Sequence, residues 1–185
     1  FDLPSMDTAE VIENALDQKC AGVVSTLNEP AANYYLFRDL ALKAKDEGLF
    51  VGCSTNCYYT PETLEDIGHF VDFVNVGIKG HSDRSYRMCG AMSSEPVFRN
   101  IAGLLDMGVH VEVSAVYSKG NEDDVLKVAE TLSEISPAIP FQVMRFIPFG
   151  TAPMKLEPSI GEAESLCTDL RKLMDHVYLF NSPGT

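Results

Sequence analysis

Asn28, Glu29, Ser54, Asn56, Lys79, Ser114 and Arg145 are polar or charged residues in, or at the ends of, short apolar runs of this 185-residue chain. The carboxyl ends of parallel strands are where α/β folds gather their chemistry, because the loops there converge on one face. The set joins hydrogen-bond donors to a carboxylate, an ammonium and a guanidinium, which suits a zwitterionic ligand. Glu29 could pair with an amine, Lys79 or Arg145 could meet a carboxylate, and Asn side chains with Thr26 could hold ribose hydroxyls. No motif marks any of them as catalytic.

Other chemistries lack their signatures. There is no Gly-x-Gly-x-x-Gly after a strand and no Walker-type Gly-Lys-Ser/Thr, so neither a dinucleotide nor a nucleoside triphosphate is supported. No Gly-x-Ser-x-Gly elbow occurs. The four histidines are dispersed, and Cys53 and Cys57 have a Cys-x-x-x-Cys spacing without a third thiol or a nearby histidine, so no metal site is expected.

The elements that must position these groups alternate. The apolar patterning predicts strands over 21–26, 49–54, 71–79, 110–117 and 141–147, with a short closing strand over 177–180. Helices are predicted from Thr8, Pro30, Thr60, Ser94, Asn121 and Ser159, the last two from capping-box patterns with Asp124 and Glu162. Repeated βα units imply parallel strands joined by right-handed crossovers, in an open doubly wound sheet or a barrel. Strand faces favour the barrel. Val109, Val111, Val113 and Ala115 form one face of the fourth strand, while His110, Glu112 and Ser114 form the other, and a doubly wound sheet would be apolar on both. On the fifth strand, Arg145 is expected on the polar side, opposite Met144 and Phe146. His110 and Glu112 could equally be a solvated pair near the strand's start.

Length and 45% apolar content suit one domain over residues 1–185, with no linker to divide it. A formal charge of -13 argues against nucleic-acid and anionic-membrane partners, and no stretch has the length of a transmembrane helix. Five scattered cysteines, an odd number, argue for a reducing cytoplasm over a disulfide framework.

The order of the strand ends resembles the radical S-adenosylmethionine superfamily, and within it the glycyl-radical (pyruvate formate-lyase) activating enzymes. Thr26-Leu27-Asn28-Glu29-Pro30 matches the Glu-Pro half of that family's Gly-Gly-Glu-Pro-like motif. Ser54-Thr55-Asn56-Cys57 resembles its Asp-Thr-Asn-Gly, Gly77-Ile78-Lys79 its Asp-Leu-Lys, Asp83 to Gly90 the segment that follows, and Val143 to Gly150 its last barrel strand. The resemblance spans roughly residues 8 to 152. It implies a partial TIM-like (β/α)6 barrel with parallel strands and outer helices. The family's three cluster cysteines and first strand would precede Phe1, so the chain reads as a fragment with its first strand missing.

What the resemblance implies for the intact protein is a [4Fe-4S] cluster that reductively cleaves S-adenosylmethionine to a 5'-deoxyadenosyl radical for hydrogen abstraction. Glu29 would bind the methionyl amine, with Asn28, Ser54, Asn56, Lys79, Ser114 and Arg145 lining the cofactor or substrate pocket. The fragment alone is expected to be inactive and to retain no cofactor. Its partners would be S-adenosylmethionine and an unknown substrate, a protein in the case of an activating enzyme, and the edge left by the missing strand could mediate self-association. The aspartates expected near Ser54 and Gly77 are replaced. Two other readings stay open: a degenerate barrel that lacks the cluster and serves as a small-molecule binding module, and an aldolase-like barrel using Lys79 as a Schiff-base amine.

Overall fold

Six of the apolar runs become strands in the computed structural model, which describes residues 7–182. They are β1 (Gly22–Ser25), β2 (Phe50–Thr55), β3 (Phe73–Ile78), β4 (His110–Tyr117), β5 (Phe141–Arg145) and β6 (Val177–Phe180). Their order in the sheet is their order in the chain, and every pairing is parallel. A doubly wound sheet reverses its strand order at a switch point. Sequential order with right-handed crossovers instead keeps the helices on one side and curls the sheet as a barrel does. Among the described residues β1 pairs only with β2, and β6 only with β5, so this parallel α/β sheet is a partial barrel with two open edges.

The helices are α1 (Thr8–Asp17), α2 (Tyr34–Asp46), α3 (Pro61–Gly68), α4 (Asp83–Met88), α5 (Glu95–Asp106), α6 (Glu122–Ile135) and α7 (Ile160–Leu170). Their apolar stripes meet the odd-numbered or even-numbered face of each strand that points outward. Val51, Cys53, Val74, Val76, Val111, Val113, Phe141 and Val143 are all almost fully buried there, with Ile67, Ile101, Leu104 and Leu132 from the helices against them. Each such side chain contributes roughly 1.5–3 kcal/mol by leaving water. The opposite strand face is the half-buried and polar one, carrying Ser54, Asn75, Glu112, Ser114 and Gln142. This is the one-sided pattern expected of a ligand-holding lumen.

Local signals were followed with four exceptions, the first at Pro30, which opens a 3-10 turn (Pro30–Asn33) ahead of α2 and not α2 itself. Ser159 and Glu162 form a reciprocal capping box, and Thr60 caps α3 ahead of Pro61. Asn121 does not cap α6: its side chain turns back to accept from the Ser118 amide at 2.9 Å and to donate to the Val116 carbonyl at 3.0 Å. Residues 83–88, read only as a motif segment, form the one-and-a-half-turn α4, capped by Ser82. The fifth strand is also turned over relative to expectation. Arg145 is on the buried side with Phe141 and Val143, in register with buried Tyr117, while Gln142 and Met144 face the lumen.

Candidate active site

The loop after β1 carries Glu29 to the carboxyl end of β2. Pro30 opens a short 3-10 turn (Pro30–Asn33) that fixes the chain's exit, leaving Glu29 at the turn's cap with an extended backbone. Its carboxylate reaches across to the neighbouring strand. Oε1 accepts from Thr55 Oγ1 at 2.8 Å and from the Tyr59 hydroxyl at 3.0 Å, and Oε2 accepts from the Asn56 amide at 2.7 Å. Thr55 and Tyr59 also share a short hydrogen bond, and both are buried. The carboxylate is therefore turned toward this corner of the helix-facing side, not freely into the barrel mouth.

The β2–α3 loop is pinned from below as well. Asn100 of α5, fully buried, donates to the carbonyls of Cys57 and Tyr59 at 2.9 Å each. Cys57 takes up a left-handed conformation with φ of 55°, at the position where the related motif has glycine. Burial, then the neighbouring Cys53 and the Glu29 charge, push its thiol well above the ordinary range. Tyr59 is raised in the same way, first by burial and then by Glu29.

Lys79, just beyond β3, is the cation of this rim. A Cβ on Gly77 would stand 3.3 Å from Lys79 Nζ, so the side chain folds back over the lumen face of its own strand. No carboxylate pairs with it among the described residues. Lys79 and Cys89 line two cavities of about 310 Å³ each, one shared with Asn56, Tyr58 and Tyr86, the other with Ser118, Asn121 and Asp124. Small-molecule sites occupy roughly 300–1,000 Å³. The loop around Gly80 is tied down by Asp124, which accepts from the amides of His81 and Ser82 at 3.2 Å each. Gly80 has φ of 123°, and a Cβ there would lie 2.2 Å from Asp124 Oδ2, so only glycine fits.

Inside the lumen, Ser114 donates to Asn75 at 3.0 Å, and Asn75 donates to Gln142 at 3.2 Å. Gln142 in turn donates to Glu112 at 2.6 Å, and His110 Nε2 lies 3.4 Å from the other Glu112 oxygen. Of this network, Asn75 and Ser114 are among the strand-end residues that the sequence offers as site candidates, and His110 and Glu112 belong to the polar face it gives the fourth strand; Gln142 is the addition. The alternation Phe141-Gln142-Val143 was the signal for Gln142, since two apolar neighbours on one side place the amide on the other.

The structure thus gathers Glu29, Ser54 and Asn56 at the β1–β2 rim and sets Lys79 and Ser114 beside them across the lumen face. Asn28 is exposed in the loop after β1. Asn56 spends its side-chain oxygen on the Tyr58 amide at 2.8 Å. Arg145 is not brought to this place. It donates to Glu157 at 2.8 Å, to the Pro158 carbonyl at 2.9 Å and to the Asn181 carbonyl at 2.9 Å, all under the loops at the other end of the sheet.

The cysteines do not fit an iron–sulfur cluster. Cys53, Cys57 and Cys167 are buried, Cys20 and Cys89 are exposed, and among the described residues no three of His, Cys, Asp or Glu lie together as metal ligands. Burial, with a smaller push from Glu29, raises the Cys53 thiol to about 12, as for a cysteine packed into the core. Among the described residues no helix is long and apolar enough to cross a membrane.

Comparison with known proteins places this geometry. The family profile described as the radical SAM superfamily matches residues 1–132. The uncharacterized protein MJ0808 of Methanocaldococcus jannaschii is 28% identical over 187 residues, which cover 97% of this chain and 54% of that protein. The chain thus spans about half the length of the curated relative it matches. A domain of the pyruvate-formate lyase-activating enzyme from Bacteroides vulgatus superposes with a TM-score of 0.70 at 15% identity, over 86% of this chain and 98% of that one. SuiB of Streptococcus suis, bound to S-adenosylmethionine, gives a TM-score of 0.70 at 12% identity, over 97% of this chain and 44% of that one. At these identities the likeness is one of fold.

Proposed function

Since the chain belongs to the radical SAM superfamily, we propose that it forms part of the barrel of an enzyme that binds S-adenosylmethionine across the carboxyl ends of β1 to β4. The observation that carries the reading is the unpaired Lys79 ammonium folded over Gly77, beside Ser54, Asn56 and Ser114. A structural neighbour of similar fold, SuiB, has been solved with S-adenosylmethionine bound. Bound S-adenosylmethionine, once reductively cleaved, supplies hydrogen-atom abstraction.

Each residue has a task that its position allows. Lys79 meets the methionyl carboxylate as a point charge. Glu29 Oε1 is filled by two hydroxyls, but Oε2 has a single donor and keeps a lone pair for the methionyl amine. Asn28, Ser54, the amide nitrogen of Asn56 and Ser114 supply hydrogen bonds to the rest of the ligand. Arg145 is committed to Glu157 and two carbonyls, so carboxylate recognition falls to Lys79 alone. No electron-transfer step is assigned to the residues described here, because they do not fit a cluster. An activating-type reaction on a protein substrate, residues 1–185 as one domain, the open edges of β1 and β6 as places where another segment or copy pairs, and a reducing cytoplasmic setting belong to the same reading.

The test is equilibrium binding of S-adenosylmethionine to the full-length protein by calorimetry. Lys79→Met should weaken binding at least tenfold, about 1.4 kcal/mol, with thermal stability unchanged. An affinity equal to that of the wild type would defeat the assignment.

A further inference from the structure

The hydrogen bonds on the lumen face of β3, β4 and β5 all run one way. Ser114 gives its proton to Asn75, Asn75 to Gln142, and Gln142 to Glu112. Each amide oxygen in the series is filled by the donor before it, and the series ends on a carboxylate. Among the described residues, Glu112 has no lysine or arginine partner. Its only basic neighbour is His110, at 3.4 Å. The Glu112 side chain is 36% exposed, so it looks into open lumen and is not sealed in a core.

A lumen built only to pack would be filled with layers of branched aliphatic side chains. Here the same positions carry a carboxylate oriented by an amide. A carboxylate with open space and an incomplete set of donors is complementary to an ammonium, which supplies charge and N–H donors together.

We propose that Glu112, oriented by Gln142 on the lumen face, is the subsite that binds an alkylammonium end of the substrate. The inference rests on the upper lumen being the S-adenosylmethionine site. Glu112 is in register with Asn75, and Lys79 folds its ammonium over Gly77, one two-residue step further along β3, roughly 6–7 Å. The two charges polarise the lumen. An amine is repelled by Lys79 and drawn to Glu112, so the substrate enters with its cation toward the strand beginnings and its carbon chain toward the cofactor end. This assigns a chemical class to the substrate, an aliphatic amine or a lysine-like side chain, and gives it one orientation.

The experiment uses the full-length protein and three matched probes, pentylamine, 1-pentanol and pentanoate, with binding read by ligand-observed NMR at physiological salt. Pentylamine should bind at least tenfold more tightly than the other two. Glu112→Gln should remove most of that preference, and Gln142→Leu, which leaves the carboxylate but removes the donor that aims it, should weaken the amine severalfold. Equal binding of the three probes would overturn the proposal. So would amine binding unchanged in Glu112→Gln, which is what general attraction to a chain of charge -13 predicts. If Glu112→Gln fails to fold, Gln142→Leu decides in the same way. S-adenosylmethionine binding is measured separately: a wild-type protein that binds the cofactor but shows no preference for the amine refutes this subsite alone, and one that prefers the amine but does not bind the cofactor refutes the cofactor reading alone.

Discussion

Glu29 and Glu112 are both half-buried carboxylates on the same sheet, and the protein treats them in opposite ways. Glu29 receives three hydrogen bonds from residues 26 to 30 positions away, and the loop that supplies them is itself held by Asn100. Glu112 receives one close bond from Gln142 and a longer contact from His110, with the rest of its shell open to the lumen. A carboxylate held by three protein donors is fixed in place by the fold, with one lone pair of Oε2 left over for a ligand. One whose donors are incomplete waits for a ligand. Arg145 extends the first case: it was expected in the lumen and is instead the most enclosed charge in the sheet, 9% exposed.

Substitutions can break or sharpen that contrast. The largest effect is expected at Arg145. Arg145→Leu strands Glu157 and the carbonyls of Pro158 and Asn181, and should cost about 3 kcal/mol, within the range for breaking a buried pair. Urea denaturation would read the loss, and S-adenosylmethionine affinity should stay within twofold of wild type. A large loss of affinity with intact stability would return Arg145 to the lumen. Glu29→Gln comes next. The amide oxygen can keep the Asn56 N–H, but the Thr55 and Tyr59 hydroxyls must turn from donors into acceptors and all three bonds lose their charge assistance, at about 2 kcal/mol. The matching change in the open region, Glu112→Gln, should alter stability by no more than about 0.5 kcal/mol. Equal costs for the two would erase the distinction between them. Tyr59→Phe removes one of three donors to Glu29 and should cost about 1 kcal/mol.

The fold was legible because its signals are local and repeat. Capping at Thr60 and Ser159, glycines after the helices, and the 110–117 alternation each specify an element without reference to the rest of the chain. Placement of the candidate residues was legible where position along a strand decides it, as for Ser54, Lys79 and Ser114 on the lumen face. It was not legible where partners from distant segments decide it. Nothing near Glu29 in the sequence announces that Thr55 and Tyr59 will claim one of its oxygens, and nothing near Arg145 announces Glu157 as its partner in space. The fifth strand shows the same limit in a smaller way. Read from Met144 and Phe146, its phase puts Arg145 on the polar side; read from Phe141 and Val143, it puts Gln142 there, and packing against Ala115 and Tyr117 settles the choice. Asn121 is a third case, since its side chain can cap a helix or close a turn, and the Ser118 amide and Val116 carbonyl win it for the turn.

The enclosed corner also carries a pH dependence that the open region lacks. Cys53 is 1% exposed, and burial first, then the Glu29 charge, raises its thiol to about 12 in the folded state. In the unfolded chain a cysteine titrates at roughly 8.5. The folded state thus keeps its proton where the unfolded state has lost it. Because the folded value is the higher one, the stabilisation is fully present below about 8.5 and is lost progressively as pH rises toward 12. Cys57 and Tyr59, raised by the same burial and the same carboxylate, steepen the loss. Urea midpoints between pH 8 and 10.5 should fall in the wild type and fall less steeply in Cys53→Ala, by up to the slope of a single group, roughly 1.4 kcal/mol per pH unit. Glu112→Gln should leave the wild-type slope intact. If Cys53→Ala and wild type lose stability in parallel, the thiol is not sealed in the corner with Glu29, and the contrast between a closed carboxylate and an open one loses its support on the closed side.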